Sequence, residues 1–193
     1  MGRLDAIGIP LLDDEEPARA ECIRIARRLH HAGHQILGLL PTEREAAALP
    51  LAVQLGQALV ELTGATVALV DANVRWPALP LLGPGKLAHP PDEDLYTTRW
   101  LHDSLALLIP TRATEQGAGA LELRRLLTHA RELFKHLLVD LTGFEPLGEH
   151  LEAAALVDRV VLVGSAGRTR GRRLRALEQL LPAGKLLGVI LIG

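Results

Sequence analysis

Short apolar runs alternate with longer segments of helical composition along this chain, and this alternation constrains the fold more than any other feature. The runs cover residues 35–40, 66–71, 104–109, 137–141, 159–163 and 186–192. Short apolar strands that alternate with helices are typical of a parallel sheet with helices on both faces. We therefore predict a doubly wound, mostly parallel α/β fold with three layers.

The segments between and before these runs are predicted to be helical, at residues 16–31, 42–62, 121–136, 147–156 and 172–181. Gly33 is expected to end the first helix. Residues 77–94 hold five of the 12 prolines and are predicted to form a loop. We interpret residues 1–15 as an N-terminal lead and residues 16–193 as a single domain.

The composition excludes several classes of protein. The 193 residues are 48% hydrophobic and 23% charged, which is enough apolar sequence for one buried core. The lone cysteine, Cys22, excludes an internal disulfide bond and a cysteine-based zinc site. Because the net charge is -2, no nucleic-acid partner is expected. The longest uncharged run, residues 46–60, is too short to span a membrane, and no signal peptide is recognisable, so we expect a cytoplasmic location.

One predicted strand ends in a signature of polar residues. The sequence from Val67 to Pro77 reads VALVDANVRWP, with Asp71 at the strand end, then Asn73 and Arg75. It resembles the Walker A′ motif, Asp-x-Asp-x-Arg, of the bacterial tyrosine kinases of capsule and exopolysaccharide assembly, which are relatives of the Min and Par ATPases. Asp71 and Arg75 match this motif, whereas Asn73 replaces its second aspartate.

Further motifs of this family follow in the same order. Residues 137–140 resemble its Walker B strand, with Asp140 at the end. Residues 156–169 resemble its fifth strand and the following turn, and residues 187–191 resemble its last core strand. The resemblance implies a P-loop NTPase-like fold over residues 16–193.

A charged motif lies in the first predicted helix. Glu21-x-x-Arg24-x-x-Arg27 matches the family's Glu-x-x-Arg-x-x-Arg helix, which mediates oligomer contacts there. The spacing places the two arginines near the glutamate on one helical face, where charged pairs give register and specificity between subunits. The alternative is an ordinary solvated helical face.

The phosphate-binding loop of the family has no counterpart. In G-x-x-x-x-G-K-[ST], backbone N–H groups surround the phosphates, the lysine neutralises charge and the hydroxyl holds Mg²⁺. No glycine occurs from residue 41 to residue 55. Counting back from Gln54, which takes the place of the family's helix asparagine, assigns Ala48 to the lysine position and Leu49 to a hydroxyl position. The carboxylates of Glu43 and Glu45 would oppose phosphate.

A different local structure is predicted in its place. Thr42 and Glu45 form a capping box, followed by alanines at positions 46–48. We expect the helix to begin here, earlier than in a P-loop protein, and to fill part of the phosphate site. Pro50 is expected to kink or interrupt this helix.

The catalytic residues of the family are also incomplete. Asn73 cannot act as a carboxylate ligand or base, and we interpret Asp71 and Asp140 as structural remnants. The family's C-terminal tyrosine cluster has no counterpart, because Tyr96 is the only tyrosine. We therefore predict no catalytic residue, no cofactor and a vestigial nucleotide pocket. The residues assigned to this pocket are Ala48, Leu49, Asp71, Asn73, Arg75 and Asp140.

Five arginines follow the fifth predicted strand: Arg168, Arg170, Arg172, Arg173 and Arg175. A solvated turn is the ordinary interpretation of such a run. Because arginine is unfavourable at a helix N-terminus, the alternative is a patch that contacts an acidic partner or anionic lipid headgroups.

Two histidines near the end of the first helix, His30 and His34, have the spacing of some metal ligands. No carboxylate lies in that helical turn, and Gly33 is expected to end the helix between them. We interpret them as cations placed favourably at a helix C-terminus, and we predict no metal site.

The first functional hypothesis is a pseudokinase-like accessory or regulatory protein of exopolysaccharide or capsule biosynthesis and export, which acts through protein contacts. Its expected partners are copies of itself, a paralogous kinase or a membrane polysaccharide co-polymerase, which would bring it to the inner face of the membrane. The first alternative is a divergent kinase or ATPase that binds ATP and Mg²⁺ through Asp71, Arg75 and Asp140. The second is a positioning protein of the Min or Par type.

Overall fold

The structure is a computed structural model that describes residues 16–43, 48–72, 96–110, 119–142, 144 and 148–193. These residues form five helices: α1 Glu16–His31, α2 Ala48–Thr63, α3 Gly119–Leu133, α4 His150–Leu156 and α5 Gly171–Leu180. They also form seven strands: β1 Ile36–Pro41, β2 Val67–Asp71, β3 Tyr96–His102, β4 Leu105–Pro110, β5 His136–Asp140, β6 Arg159–Ser165 and β7 Leu186–Ile192.

The seven strands form one sheet in the order β3-β4-β2-β5-β1-β6-β7. All neighbours are parallel except β3 and β4, which are antiparallel. The helices α1 and α2 pack on one face, and α3, α4 and α5 pack on the other. The predicted doubly wound, three-layer α/β fold is therefore confirmed.

The central strands are apolar because both of their faces are covered. All six residues of β1 are buried. Leu37 and Leu39 point into the core beneath α1 and α2, whereas Ile36 and Leu40 point into the core on the other face. A strand of this kind carries no polar alternation, which is why its sequence is a continuous apolar run.

The strand β3 was not predicted. It lies at one edge of the sheet, and only Leu101 among its seven residues is buried. Because the other residues are half-buried or exposed, the sequence Tyr-Thr-Thr-Arg-Trp-Leu-His shows no apolar run. The predicted loop at residues 77–94 lies outside the described residues, as does the proposed lead at 1–15.

The end predicted for the third long helix was wrong. We expected helix as far as His136, but α3 ends at Leu133 and His136 begins β5. The backbone N–H groups of Lys135 and His136 donate to the carbonyl oxygen of Thr66, at 3.0 and 3.2 Å. Pairing with the strand that follows Thr66 therefore overrides the helical pattern of the local sequence.

The start predicted for α2 was also wrong. Thr42 continues the path of β1, because its backbone N–H donates to Val163 O at 2.8 Å, and Glu43 is not helical. The described helix begins at Ala48, and Glu45, the other member of the expected capping box, lies outside the described residues. Pro50 does not interrupt the helix, which is continuous from Ala48 to Thr63.

Across the described residues, no helix combines the length and the apolar character that crossing a membrane requires.

Candidate functional site

The candidate site lies where the parallel strands β1, β2, β5 and β6 end. Asp71 closes β2 and Asp140 closes β5, and the two residues are partners in the register of these strands. Asp140 is also paired with Leu39 of β1. Both aspartates are buried, with exposed fractions of 0% for Asp71 and 3% for Asp140. The structure thus places side by side the two acids that the sequence assigned to one pocket.

Asp140 is held by the residue two positions further along the chain. Its Oδ1 accepts hydrogen bonds from the backbone N–H of Thr142, at 2.8 Å, and from the Thr142 hydroxyl. Burial raises the pKa of Asp140, and the two hydrogen bonds from Thr142 oppose this rise. In the described structure, one oxygen of this acid serves as the acceptor for the turn that Thr142 begins.

The residues at the assigned lysine and hydroxyl positions are apolar and buried. Ala48 and Leu49 open α2, and they are 2% and 5% exposed within the core beneath α1 and α2. Neither side chain can donate a hydrogen bond to phosphate or neutralise its charge. Asn73 and Arg75, the remaining residues assigned to the pocket, lie outside the described residues.

A polar contact that the sequence did not predict fastens the end of β1 to the turn after β6. The hydroxyl of Thr42 donates to Glu43 Oε2 at 2.6 Å, so its oxygen accepts the proton of the Thr169 hydroxyl, 3.2 Å away. The Thr169 oxygen in turn accepts the backbone N–H of Ser165 at 2.8 Å. Arg173 Nε donates to the carbonyl oxygen of Thr42 at 3.3 Å. We refer to this arrangement as the Thr42–Thr169 junction.

The junction depends on the absence of a side chain at Gly164. A Cβ atom there would lie 2.4 Å from Thr169 Oγ1 and 3.0 Å from Thr42 Oγ1. The one sequence signal for the junction was therefore a glycine near the end of an apolar strand, which also suits an ordinary turn. The junction lies at the carboxyl ends of the neighbouring strands β1 and β6, and the Glu43 carboxylate is part of it.

The assigned oligomer residues lie on the surface of α1. Arg24 Nε donates to Glu21 Oε2 at 2.8 Å, and its Nη2 donates to Oε1 of the same carboxylate. This bond lowers the pKa of Glu21 and raises that of Arg24. Arg27 is exposed one turn further along. Glu21 and Arg24 also line a cleft between α1 and β7, so the motif is accessible to another molecule.

The histidines at the end of α1 form ring contacts and no metal centre. The His30 ring lies 5.9 Å from His31 and 5.8 Å, edge to face, from His136. Gly33, at φ +71°, ends the helix as predicted. Within the part of the chain that the structure describes, no three side chains of His, Cys, Asp or Glu come together as metal ligands.

The strand order and the parallel pairing are those of a P-loop NTPase-like α/β fold, as solved structures show. The chain is similar to the kinase domain of Escherichia coli tyrosine kinase ETK, with a TM-score of 0.67 and 17% identity over 90% of this chain and 74% of that chain. It is also similar to the chimerical protein CapA2B2, with a TM-score of 0.72 and 15% identity over 97% of this chain and 95% of that chain.

A third solved structure with this fold is cobyrinic acid a,c-diamide synthase from Mycobacterium smegmatis with bound ADP and magnesium. Its TM-score is 0.56, with 20% identity over 82% of this chain and 74% of that chain. No protein-family model and no curated protein sequence matches the chain. The chain therefore has the fold of bacterial tyrosine kinase domains, and its function has to be argued from its own residues.

Proposed function

We propose that this chain is a non-catalytic accessory or regulatory protein of a bacterial exopolysaccharide or capsule system, and that it acts through protein contacts. The observation that carries the proposal is the buried methyl group of Ala48 at the position assigned to the P-loop lysine. A triphosphate carries several negative charges, and among the described residues no lysine lies at this edge of the sheet to neutralise them.

The surroundings of Ala48 add to this argument. Leu49 offers no hydroxyl for Mg²⁺, and the carboxylate of Glu43 lies at the end of the neighbouring strand. Burial favours the neutral form of Asp140, which weakens it as a partner for a cation. Each of these differences from a P-loop protein disfavours nucleotide binding, and all of them lie at the carboxyl ends of the parallel strands.

Titration calorimetry with ATP and Mg²⁺ tests this proposal. We expect no saturable heat at millimolar ATP. The competing function is a divergent ATPase or kinase, which is favoured by the adjacency of Asp71 and Asp140. That function requires saturable binding in the wild type and its loss in Asp71→Asn and Asp140→Asn. Saturable binding with this loss would overturn the non-catalytic proposal.

The proposed contact surface is the exposed face of α1. Glu21 and Arg24 pair with each other within the helix, and their side chains are 50% and 63% exposed. An ion pair this exposed contributes little to folding stability. The same groups can exchange their internal pair for pairs with another molecule at small cost. We propose three partners for this face: a second copy, a paralogous kinase, or the cytoplasmic end of a membrane polysaccharide co-polymerase.

Sedimentation velocity tests self-association through this face. The triple variant Glu21→Ala, Arg24→Ala, Arg27→Ala is compared with Arg124→Ala, Arg125→Ala, Glu132→Ala, which removes the same charges from the exposed side of α3. We expect the first variant to lower the association constant at least about tenfold, because charged pairs set register between subunits.

The control variant should associate like the wild type. Equal effects of the two triple variants would contradict the assignment of α1. A wild type that is monomeric at all concentrations would exclude self-association and leave the other two partners, which co-purification with the kinase or the co-polymerase tests.

A further inference from the structure

The turn after β6 and the first turn of α5 carry an unbalanced positive charge. No Asp or Glu occurs between Asp158 and Glu178. Six arginines lie in this interval: Arg159 begins β6, and five follow the strand. Of those five, Arg173 alone is half-buried, where it bonds to Thr42 O. The other four are exposed, and we refer to them as the basic corner: Arg168, Arg170, Arg172 and Arg175.

Ion pairs within the fold do not account for the charge of three of these arginines. Within the described residues, Arg170, Arg172 and Arg175 have no carboxylate at ion-pair distance, in contrast to Arg19, which pairs with Glu61 at 3.0 Å. The N-cap residue of α5 is Arg170, and its side chain makes no capping bond. Because the helix dipole disfavours cations at this end, the arginines oppose the formation of α5 rather than support it.

An apolar stripe lies on the strand beside the basic corner. Leu187, Val189 and Leu191 of β7 are 38%, 43% and 55% exposed. Val189 and Leu191 alternate with Ile190 and Ile192, which pack toward α1 and α2, so these two side chains face the side of the sheet that carries α5. Leu187 lies at the register shift of β7.

The turn and the strand are joined directly. The backbone N–H of Ala166 donates to Ile192 O at 2.7 Å, and Leu191 is the register partner of Gly164. The basic corner therefore begins where the apolar stripe ends. Together they present positive charge and exposed aliphatic side chains at one edge of the molecule.

We propose that this edge binds the surface of an anionic lipid bilayer. Guanidinium groups bind lipid phosphates, and the exposed aliphatic side chains of the stripe enter the headgroup region, as in other interfacial surfaces that combine arginine with leucine. The exposed aliphatic side chains beside the arginines favour a bilayer over an acidic peptide, which offers them no apolar region to enter. The cleft between α1 and β7 is lined by the stripe residues and by residues of α1, and none of the four arginines lines it.

Co-sedimentation with vesicles tests this proposal. We expect the chain to bind vesicles of phosphatidylcholine mixed with phosphatidylglycerol and not to bind vesicles of phosphatidylcholine alone. Binding should weaken as the salt concentration is raised. The variant Arg168→Gln, Arg170→Gln, Arg172→Gln, Arg175→Gln should weaken binding at least about tenfold.

The matched control is Arg99→Gln, Arg124→Gln, Arg125→Gln, Arg131→Gln, which removes four exposed arginines from β3 and α3. Its affinity for the vesicles should lie within about twofold of the wild type, because these arginines lie outside the proposed contact surface. A purely nonspecific attraction would depend on net charge, which both variants lower equally. Equal loss in both variants would overturn the proposal, as would the absence of vesicle binding by the wild type. A circular dichroism melt confirms that both variants are folded.

Two further results separate a bilayer from an acidic protein. Val189→Ser with Leu191→Ser should weaken vesicle binding and leave its salt dependence unchanged, since no charge is lost. Poly-L-glutamate is the competing probe. If the basic corner binds poly-L-glutamate but not anionic vesicles, the partner is an acidic polypeptide and the bilayer proposal is wrong. The arginine variants change neither the assigned nucleotide pocket nor α1, so their result is separate from the test of the proposed function.

Discussion

At the scale of single residues, Asp140 shows how a position that resembles a catalytic acid can act against stability. Its side chain is buried, and burial raises its pKa above the usual range of an aspartate. The folded chain therefore binds a proton at Asp140 at a pH where the unfolded chain does not. Its contribution to stability is present at low pH and decreases as the pH rises toward its raised folded pKa.

We expect Asp140→Asn to stabilise the chain at pH 7. The amide oxygen of asparagine still accepts both hydrogen bonds from Thr142, and the buried charge is removed. The gain should be on the order of 1 kcal/mol at pH 7 and should shrink as the pH falls, because the folded wild type then binds a proton at Asp140 and the charge is lost. Urea unfolding at pH 7 and at lower pH measures it. A variant that is destabilised at pH 7 would show that ionised Asp140 is paired with a cation, contrary to the role assigned here.

At the scale of elements, the Thr42–Thr169 junction joins two strand ends that are far apart in sequence. We expect Gly164→Ala to cost about 1–3 kcal/mol, because its Cβ would lie against Thr169 Oγ1, which is held in place by Ser165 N–H. Thr169→Ala in the same background should recover part of this loss, as a double-mutant cycle detects. Gly171→Ala is the control, since no atom lies near its Cβ position and α5 begins there.

The control should change the free energy of unfolding by less than about 1 kcal/mol, and alanine favours the helix. If Gly164→Ala and Gly171→Ala unfold alike, the junction is loose enough to accept a methyl group. Chemical denaturation followed by far-ultraviolet circular dichroism compares the variants.

The elements also show which parts of the structure local sequence can predict. The buried strands were predicted because burial on both faces leaves continuous apolar runs, as in β1. The edge strand β3 was missed because only Leu101 among its residues is buried, so its sequence contains no apolar run. Asp71 and Asp140 were placed together correctly, because parallel strands end at one edge. The Thr42–Thr169 junction was missed because it joins residues 127 positions apart, and no local pattern encodes such a pair.

At the scale of the whole molecule, a histidine contact links the end of α1 to the start of β5. His136 is 7% exposed, and its ring meets that of His30. Burial lowers the pKa of His136 first, and the nearby charge of His30 lowers it further. As the pH falls below about 6.5, the pKa of histidine in the unfolded chain, the unfolded chain binds a proton at His136 and the folded chain does not. The free energy of unfolding therefore decreases. This loss continues until the lowered folded pKa is reached.

We expect the free energy of unfolding to fall by on the order of 1 kcal/mol between pH 7 and pH 5.5 through this group. His136→Gln, which cannot be protonated, should flatten the decline, whereas His31→Gln, at an exposed position of α1, should not. Urea midpoints at several pH values measure both variants. A decline that persists undiminished in His136→Gln would assign the acid sensitivity to other groups. The opposite pH dependence of Asp140 does not obscure this result, because Asp140→Asn can be combined with either histidine variant.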